Sequence, residues 1–284
     1  MKEWQAERVF RIYFIGILMV DVAKAPYRFI RYELQEIRCR RSSQQAAGLS
    51  SRQQPNTRES ESRISTAGYF EGIELYNNVN PEIFELYAGE EMVLDIGCGS
   101  GALGAKLKTI NQRAIVYGID ASQSAAQRAS SALDQFDLLD LDNQELPGYG
   151  HRFDLVILAD VLEHLKRPDL LMLQLHRHLE HNGSVLVSIP NVAHYSVREM
   201  LFNGKFEYND IGILDRTHLR FFTHKTFLEL VEKCGFRIVA ERHSNVVPNI
   251  LGYAPRPNSR LHNFITENFP TLVAYQFIFK LKAK

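Results

Sequence analysis

Residues 93–104 constrain this chain more than any other stretch. A short apolar run, Val93-Leu94-Asp95-Ile96, leads into Gly97-Cys98-Gly99-Ser100-Gly101-Ala102-Leu103-Gly104, which holds four glycines in eight residues. Glycine suits a place where the backbone must turn tightly and let a ligand come close. The helix that such a loop opens presents free N–H groups, which favour polar or anionic ligand groups. The next apolar run, Ala114–Ile119, ends in an acid, Asp120. Strand, glycine turn, helix, strand and acid together predict an α/β unit with a ligand at the strand ends.

The pattern continues downstream. Apolar runs and caps predict strands at about 92–96, 114–120, 136–139, 153–159 and 184–189. They predict helices at about 81–87, 101–110, 123–132, 168–180 and 223–234. Thr223 is the expected cap and Gly235 the expected stop of that last helix. Phe236–Glu241 and Ala274–Lys282 read as a closing strand pair. No repeat and no membrane-spanning stretch stands out.

Residues 1–66 differ from the rest. Residues 1–41 read as a basic, partly apolar helical extension, and 42–66 as a polar linker rich in Ser, Gln, Arg and Thr. Formal charge over the whole chain is +0, yet residues 1–63 hold 12 Lys/Arg against 7 Asp/Glu. The nine-residue run Ile12–Val20 is short of the ~20 residues that a membrane span needs. A secretory leader, a helix lying on a membrane through residues 8–31, and a helix packed on the domain or a partner all remain open. Three cysteines with no metal-like spacing fit a reduced, cytoplasmic setting. Residues 67–284 form the expected catalytic domain.

Read from Asp95, the loop is D-x-G-x-G-x-G, which resembles motif I of the class I S-adenosylmethionine (SAM) methyltransferases. Phe153-Asp154-Leu155-Val156-Ile157 with Asp160-Val161-Leu162-Glu163-His164-Leu165 resembles the fourth-strand region of small-molecule members. Pro190–Tyr195 and Leu214–Thr223 resemble a bacterial subgroup associated with glycan synthesis, within a superfamily that includes ubiquinone methyltransferases. The resemblance covers roughly residues 68–284. It implies a seven-stranded, doubly wound, mostly parallel Rossmann-like sheet that binds SAM. Asp95, Gly97, Gly99 and Gly101 would surround the methionine part of SAM. The Asp95 carboxylate would either hydrogen-bond the glycine loop or reach toward the ammonium. Asp120 would take the ribose hydroxyls, and Asp140 with Leu141 the adenine, with Asp137 and Asp142 as competitors. Asp160 would lie beside the cofactor at the carboxyl edge.

The implied reaction moves a methyl group to an acceptor, an oxygen of a small molecule or of a glycan- or lipid-linked intermediate. An oxygen acceptor must lose a proton, and a histidine is the natural base near neutral pH. His194 and His218 are the two candidates. Glu163-His164 invites a metal reading, but no H-x-x-x-H pattern stands nearby and His176 and His178 sit on a helix expected to face away. No metal is therefore expected. Gly99–Gly104 also fits the dinucleotide pattern G-x-G-x-x-G. Asp95 within the strand, and the lack of a hydride-transfer constellation, argue against an NAD(P) oxidoreductase. The complete loop with Asp120 argues against a non-catalytic scaffold. A nucleic-acid substrate is not expected, because residues 64–284 are net acidic and Ala159-Asp160-Val161-Leu162 stands where an N-methylating Asn/Asp-Pro-Pro-aromatic motif would be. Oligomeric state is open.

Overall fold

The structure, a computed structural model, describes residues 80–245 and 259–284. The extension 1–41, the linker 42–66 and the candidate membrane contact at 8–31 lie outside the described residues. The elements run α1 (Glu82–Leu86), β1 (Met92–Ile96), α2 (Ala102–Ile110), β2 (Ile115–Asp120), α3 (Gln123–Ala132), β3 (Gln135–Leu138) and β4 (Phe153–Ala159). A 3-10 turn (Leu162–His164), α4 (Pro168–His178), β5 (Leu179–Pro190), α5 (Tyr195–Phe202), α6 (His224–Lys233) and β6 (Phe236–Asn245) follow. Two helices, α7 (Arg260–Asn268) and α8 (Pro270–Val273), precede β7 (Ala274–Ala283).

The seven strands form one sheet in the order β3-β2-β1-β4-β5-β7-β6, as the α/β reading expects. β1 to β5 are parallel, while β7 runs antiparallel between β5 and β6. Strand order reverses at β1, whose neighbours are β2 and β4. The carboxyl ends of these three strands therefore open the crevice where doubly wound sheets take ligands. Period-two alternation sends successive residues to opposite faces. Leu94, Val156 and Leu158 join one buried cluster with Phe227 and Phe279, while Val93, Leu155 and Ile157 join another with Leu103 and Leu107. Asp95 falls on the second face and is only 1% exposed.

Two boundaries differ from the expectation. The helix expected over 168–180 stops at His178, because Leu179 already pairs with Phe153. Residues 180–183 then bulge, and the register resumes at Ser184 opposite Leu155. The expected turn at Asn182-Gly183 is thus an irregularity within β5. α5, α7 and α8 were not anticipated. Asn191 and Phe222 form a parallel bridge, which joins the two ends of a long excursion beyond β5. α5 and the run Leu214–Phe222 lie inside that excursion.

Gly104 packs α2 onto the sheet. A Cβ there would lie 2.4 Å from Leu133 Cδ2 and 2.8 Å from Val116 Cγ1. Alanine in a helix gains about 1 kcal/mol over glycine, but overpacking a tight core costs about 1–3 kcal/mol. Gly104→Ala is therefore expected to be neutral to destabilising in urea unfolding; a gain approaching the full helix-propensity value would show that α2 is not held this closely.

Candidate functional site

The glycine loop makes one wall of a cavity of about 380 Å³. Gly97, Gly99 and Gly101 have φ of 71°, 52° and 80°, a region that side chains rarely adopt. A Cβ on Gly97 would also lie 2.5 Å from Val161 Cγ2. Gly97 and Cys98 donate their N–H groups to the Ile119 carbonyl at 2.7 and 3.0 Å, and Gly99 N donates to Asp120 Oδ2 at 2.8 Å. Gly101 is the residue before α2, whose first turn carries no side-chain cap.

The two acids of this wall differ sharply. Asp120 Oδ1 accepts the Ser122 N–H at 2.7 Å while Oδ2 holds Gly99. Burial raises its pKa, and those N–H donors pull it back. Among the described residues, Asp95 has no hydrogen-bond partner on either carboxylate oxygen. Its burial, with the charge of Asp120 nearby, pushes its pKa up to about 8. Of the two roles open for Asp95, the hydrogen bond to the glycine loop is therefore made by Asp120 instead.

On the opposite wall, Asp140, Leu141 and Asp142 all line the cavity. Asp140 turns its carboxylate into its own loop, accepting from Asp142 N at 3.0 Å and Asn143 Nδ2 at 2.8 Å. Asp142 is engaged by Lys166 N at 2.8 Å. Asp137 does not line the cavity, and accepts from Tyr149 Oη at 3.1 Å.

The cavity floor lies at the end of β4. Asp160 has φ 54°, the one non-glycine residue with positive φ among those described. Ser188 Oγ and Gln276 Nε2 each donate to one of its oxygens at 2.8 Å, which pins this strained turn. Burial raises the Asp160 pKa against these bonds. Glu163 is 1% exposed, its two oxygens have no hydrogen-bond partner among the described residues, and burial followed by the Asp160 charge holds its pKa well above the carboxylate range. His164 and His218 stand edge to face with ring centroids 4.8 Å apart. Burial, then the neighbouring His218, holds His164 down to about 4, and burial also lowers His218.

Every expected cofactor contact except Gly101 lines this cavity, and so does His218. His194 does not. It is 1% exposed, caps α5 through Nδ1, which accepts from Ser196 N at 3.4 Å, and packs on Tyr195 and Tyr275. Its place at the turn after β5 is what the sequence showed; its turn into the helix start is what the sequence hid. Sequence reasoning missed Gln276, whose β7 position beside Asp160 follows only from the antiparallel closure of the sheet, and Tyr275. His218 joins Glu163 and His164 although it lies 54 residues beyond His164, so the expectation that no further histidine meets that pair fails as geometry.

A family model described as a methyltransferase domain matches residues 71–241. A curated ubiquinone biosynthesis O-methyltransferase of Rickettsia typhi is 31% identical over 108 residues, covering 35% of this chain and 41% of that protein. One of the same name from Bartonella quintana is 31% identical over 103 residues, with the same two coverages. The chain thus spans about two fifths of the length of these curated relatives. A solved SAM-dependent methyltransferase of Archaeoglobus fulgidus shares the fold, with TM-score 0.50 and 19% identity, covering 72% of this chain and 90% of that one.

Asp95 gives this wall a pH signature. Its carboxyl ordinarily ionises near ~3.9, but holds its proton to about 8 in the fold. Between those values the native chain binds a proton that the unfolded chain has released, so stability falls as pH rises and levels off above the upper value. Urea unfolding across that window should show the fall, and Asp95→Asn should flatten part of it. Parallel slopes in the two proteins would mean that Asp95 is ionised in the native state.

Proposed function

This chain belongs to the methyltransferase-domain family, and we propose that it transfers the methyl group of SAM to an oxygen of a small, largely apolar acceptor. The observation that carries this reading is Asp95, a buried carboxyl with no hydrogen-bond partner among the described residues, beside a glycine loop that lets a ligand approach. An orphaned buried carboxyl is costly unless a complementary group meets it. The ammonium of SAM is such a group, so the residues present fit the cofactor. SAM supplies a methyl already activated on a sulfonium, and the protein has chiefly to align it with the acceptor.

In this reading Gly97 and Gly99 bring backbone against the methionine part, while Gly101 opens α2 behind them. Asp120 has lone pairs left over from Gly99 and Ser122, and these receive the ribose hydroxyls. Leu141 lies against the adenine, and Asp140 faces its edge, since Asp137 is held by Tyr149 and Asp142 by Lys166. Asp160 acts as a positioning residue through its left-handed turn. The acceptor oxygen attacks the methyl carbon, the carbon–sulfur bond breaks, and its electron pair stays on sulfur. His218, which lines the cavity beside Glu163 and His164, takes the acceptor's proton in this reading, and His194, which does not line it, takes no part.

The names of the curated relatives suggest a phenolic oxygen on a quinol-like body as the acceptor. Apolar side chains near the mouth support an apolar acceptor: Leu139 and Leu141 line the cavity, and Ile211, also lining it, is 55% exposed. A lipid-linked glycan intermediate would place a similar apolar body there. We place the reaction in the cytoplasm at a membrane surface, through residues 8–31. Among the described residues no helix is long and apolar enough to cross a membrane.

Calorimetric titration of the full chain with S-adenosylhomocysteine, NAD and NADP tests the assignment. S-adenosylhomocysteine alone should bind, and Asp120→Ala should weaken it by about tenfold or more, a loss of at least ~1.4 kcal/mol. Titrated in buffers of different ionisation heat near neutral pH, the wild-type chain should release protons on binding, and Asp95→Asn fewer. Binding of NAD or NADP in place of S-adenosylhomocysteine overturns the reading. With a long-chain catechol as acceptor probe and methyl-labelled SAM, His218→Ala should lower transfer by at least ~10²-fold. His194→Ala should instead cost stability, about 0.5–2 kcal/mol for the lost helix cap. Equal loss of transfer in the two variants would return His194 to the reaction.

A further inference from the structure

We propose that the Tyr275 hydroxyl is a specificity contact for the methyl acceptor, donating a hydrogen bond to a second oxygen of that molecule beside the one that is methylated. This contact rests on the methyl-transfer reading with His218 as base, and adds to it what else the acceptor must carry.

Tyr275 lies at the start of β7 and lines the cavity. Successive side chains along a strand point to opposite faces, so Tyr275 and Gln276 reach the cavity from different sides. The Tyr275 ring packs on the small apolar cluster of Val197, Ile213 and Leu214, and His194 stands edge to face with it at 5.5 Å between centroids. Its backbone carbonyl accepts from Asn191 N at 3.0 Å. The ring is therefore fixed, and its far end lies against Gly212, another residue of the cavity wall. A Cβ on Gly212 would lie 2.5 Å from Tyr275 Oη, and Gly212 has φ of 96°. Close approach and backbone conformation both call for glycine there. The loop itself is closed by Asn209 N donating to the Leu214 carbonyl at 2.9 Å and Arg216 N to the Asn209 carbonyl at 3.0 Å.

The amide and hydroxyl side chains that line the cavity are Asn80, Ser122, Tyr275 and Gln276. Asn80 donates to Gln276 Oε1 at 2.8 Å and accepts from Glu82 N at 3.0 Å. Gln276 in turn donates to Asp160. Ser122 Oγ accepts from Ala125 N and lies 2.9 Å from Ser124 Oγ. Among the described residues the Tyr275 hydroxyl has no such partner. A rigidly held phenol with its hydrogen unspent is thus offered to whatever fills the cavity.

His218 works from the same loop. Its Nδ1 lies 3.0 Å from the Ile213 carbonyl oxygen. A carbonyl cannot donate, so Nδ1 carries the proton and Nε2 keeps the lone pair that takes the acceptor's proton. Tyr275 and His218 therefore meet the loop at adjacent residues, Gly212 and Ile213. The attacking oxygen loses negative charge as it bonds the methyl carbon, so a donor on that oxygen would weaken toward the transition state and oppose transfer. On a neighbouring oxygen the same donor binds without that penalty. The favoured acceptors are molecules with one free hydroxyl and a second hydroxyl, ether or carbonyl oxygen close to it. A site that hydrogen-bonds a substrate oxygen rejects the analogue without it, because the protein group is then left unpaired.

The test compares a catechol and a phenol that bear the same alkyl chain. Each is titrated calorimetrically into the full chain saturated with S-adenosylhomocysteine, and methyl transfer to each is measured with labelled SAM. The wild-type chain should prefer the catechol. Tyr275→Phe, which keeps the ring and removes only the hydroxyl, should lower that preference by about three- to tenfold through weaker catechol binding. Gly212→Ala should lower it too, and should add little in the Tyr275→Phe background. Tyr149→Phe, whose hydroxyl sits on Asp137 away from the cavity, should leave the preference unchanged. Retained S-adenosylhomocysteine binding certifies that each variant is folded. A preference that Tyr275→Phe does not move, or an equal loss on both probes, overturns the contact. So does a Gly212→Ala loss that persists in full beside Tyr275→Phe. A chain that binds S-adenosylhomocysteine yet takes neither probe, or takes both alike, also overturns it and leaves methyl transfer standing. Failure to bind S-adenosylhomocysteine overturns both.

Discussion

The bond from Gly99 N–H to the Asp120 carboxylate is the constraint on which the rest of the site depends. It ties the loop after β1 to the end of β2, and the same carboxylate receives Ser122 N–H. Ser122 in turn caps α3, its hydroxyl accepting from Ala125 N. One side chain thus sets a left-handed glycine turn, a strand end and a helix start. The sheet makes room for this at Gly118, where a Cβ would meet Leu133 Cδ1 at 2.3 Å and Cys98 Sγ at 2.7 Å. A glycine in mid-strand, ordinarily a weakness, is here what lets the loop lie against β2.

Asp95 and Asp120 show why two acids of one motif are not interchangeable. Both are buried, and both are raised by burial. Asp120 recovers part of the desolvation cost from backbone N–H groups. Asp95 recovers none among the described residues, and burial with the nearby Asp120 charge pushes its pKa up to about 8. Linear sequence places both acids correctly at strand ends, because apolar periodicity fixes where a strand stops. It does not say which of them holds the loop, since that depends on the direction of two backbone N–H vectors. The same limit explains the acids after β3. Asp137, Asp140 and Asp142 are indistinguishable by spacing, and only the positions of Tyr149 and Lys166 separate them.

The parallel half of the sheet was legible because each βα unit repeats local signals: an apolar run, a glycine or a cap, then helical spacing. Thr223 is a case where the cap predicted from residue type is present in full, with Thr226 completing a capping box. What followed β5 was legible only in part. The excursion from Asn191 to Phe222 is closed by a long-range bridge, and Asn191 is pinned through Nδ2 to the carbonyls of Thr271 and Ala274. None of these contacts has a local pattern. Hence His194, which looked placed for chemistry by its turn, was drawn into capping a helix. His218, equally plausible by type, was carried onto the β4 turn. A search for histidines at helical spacing cannot find one that arrives from such a segment.

The cavity is therefore lined by buried acids whose pKa values burial raises. Asp95 stands at the glycine wall, and Glu163 with Asp160 at the floor. Desolvation favours the protonated form of each, helped by the Asp120 charge at Asp95 and by the Asp160 charge at Glu163. A positive group at either end reverses that balance locally, because a nearby opposite charge favours the ionised form.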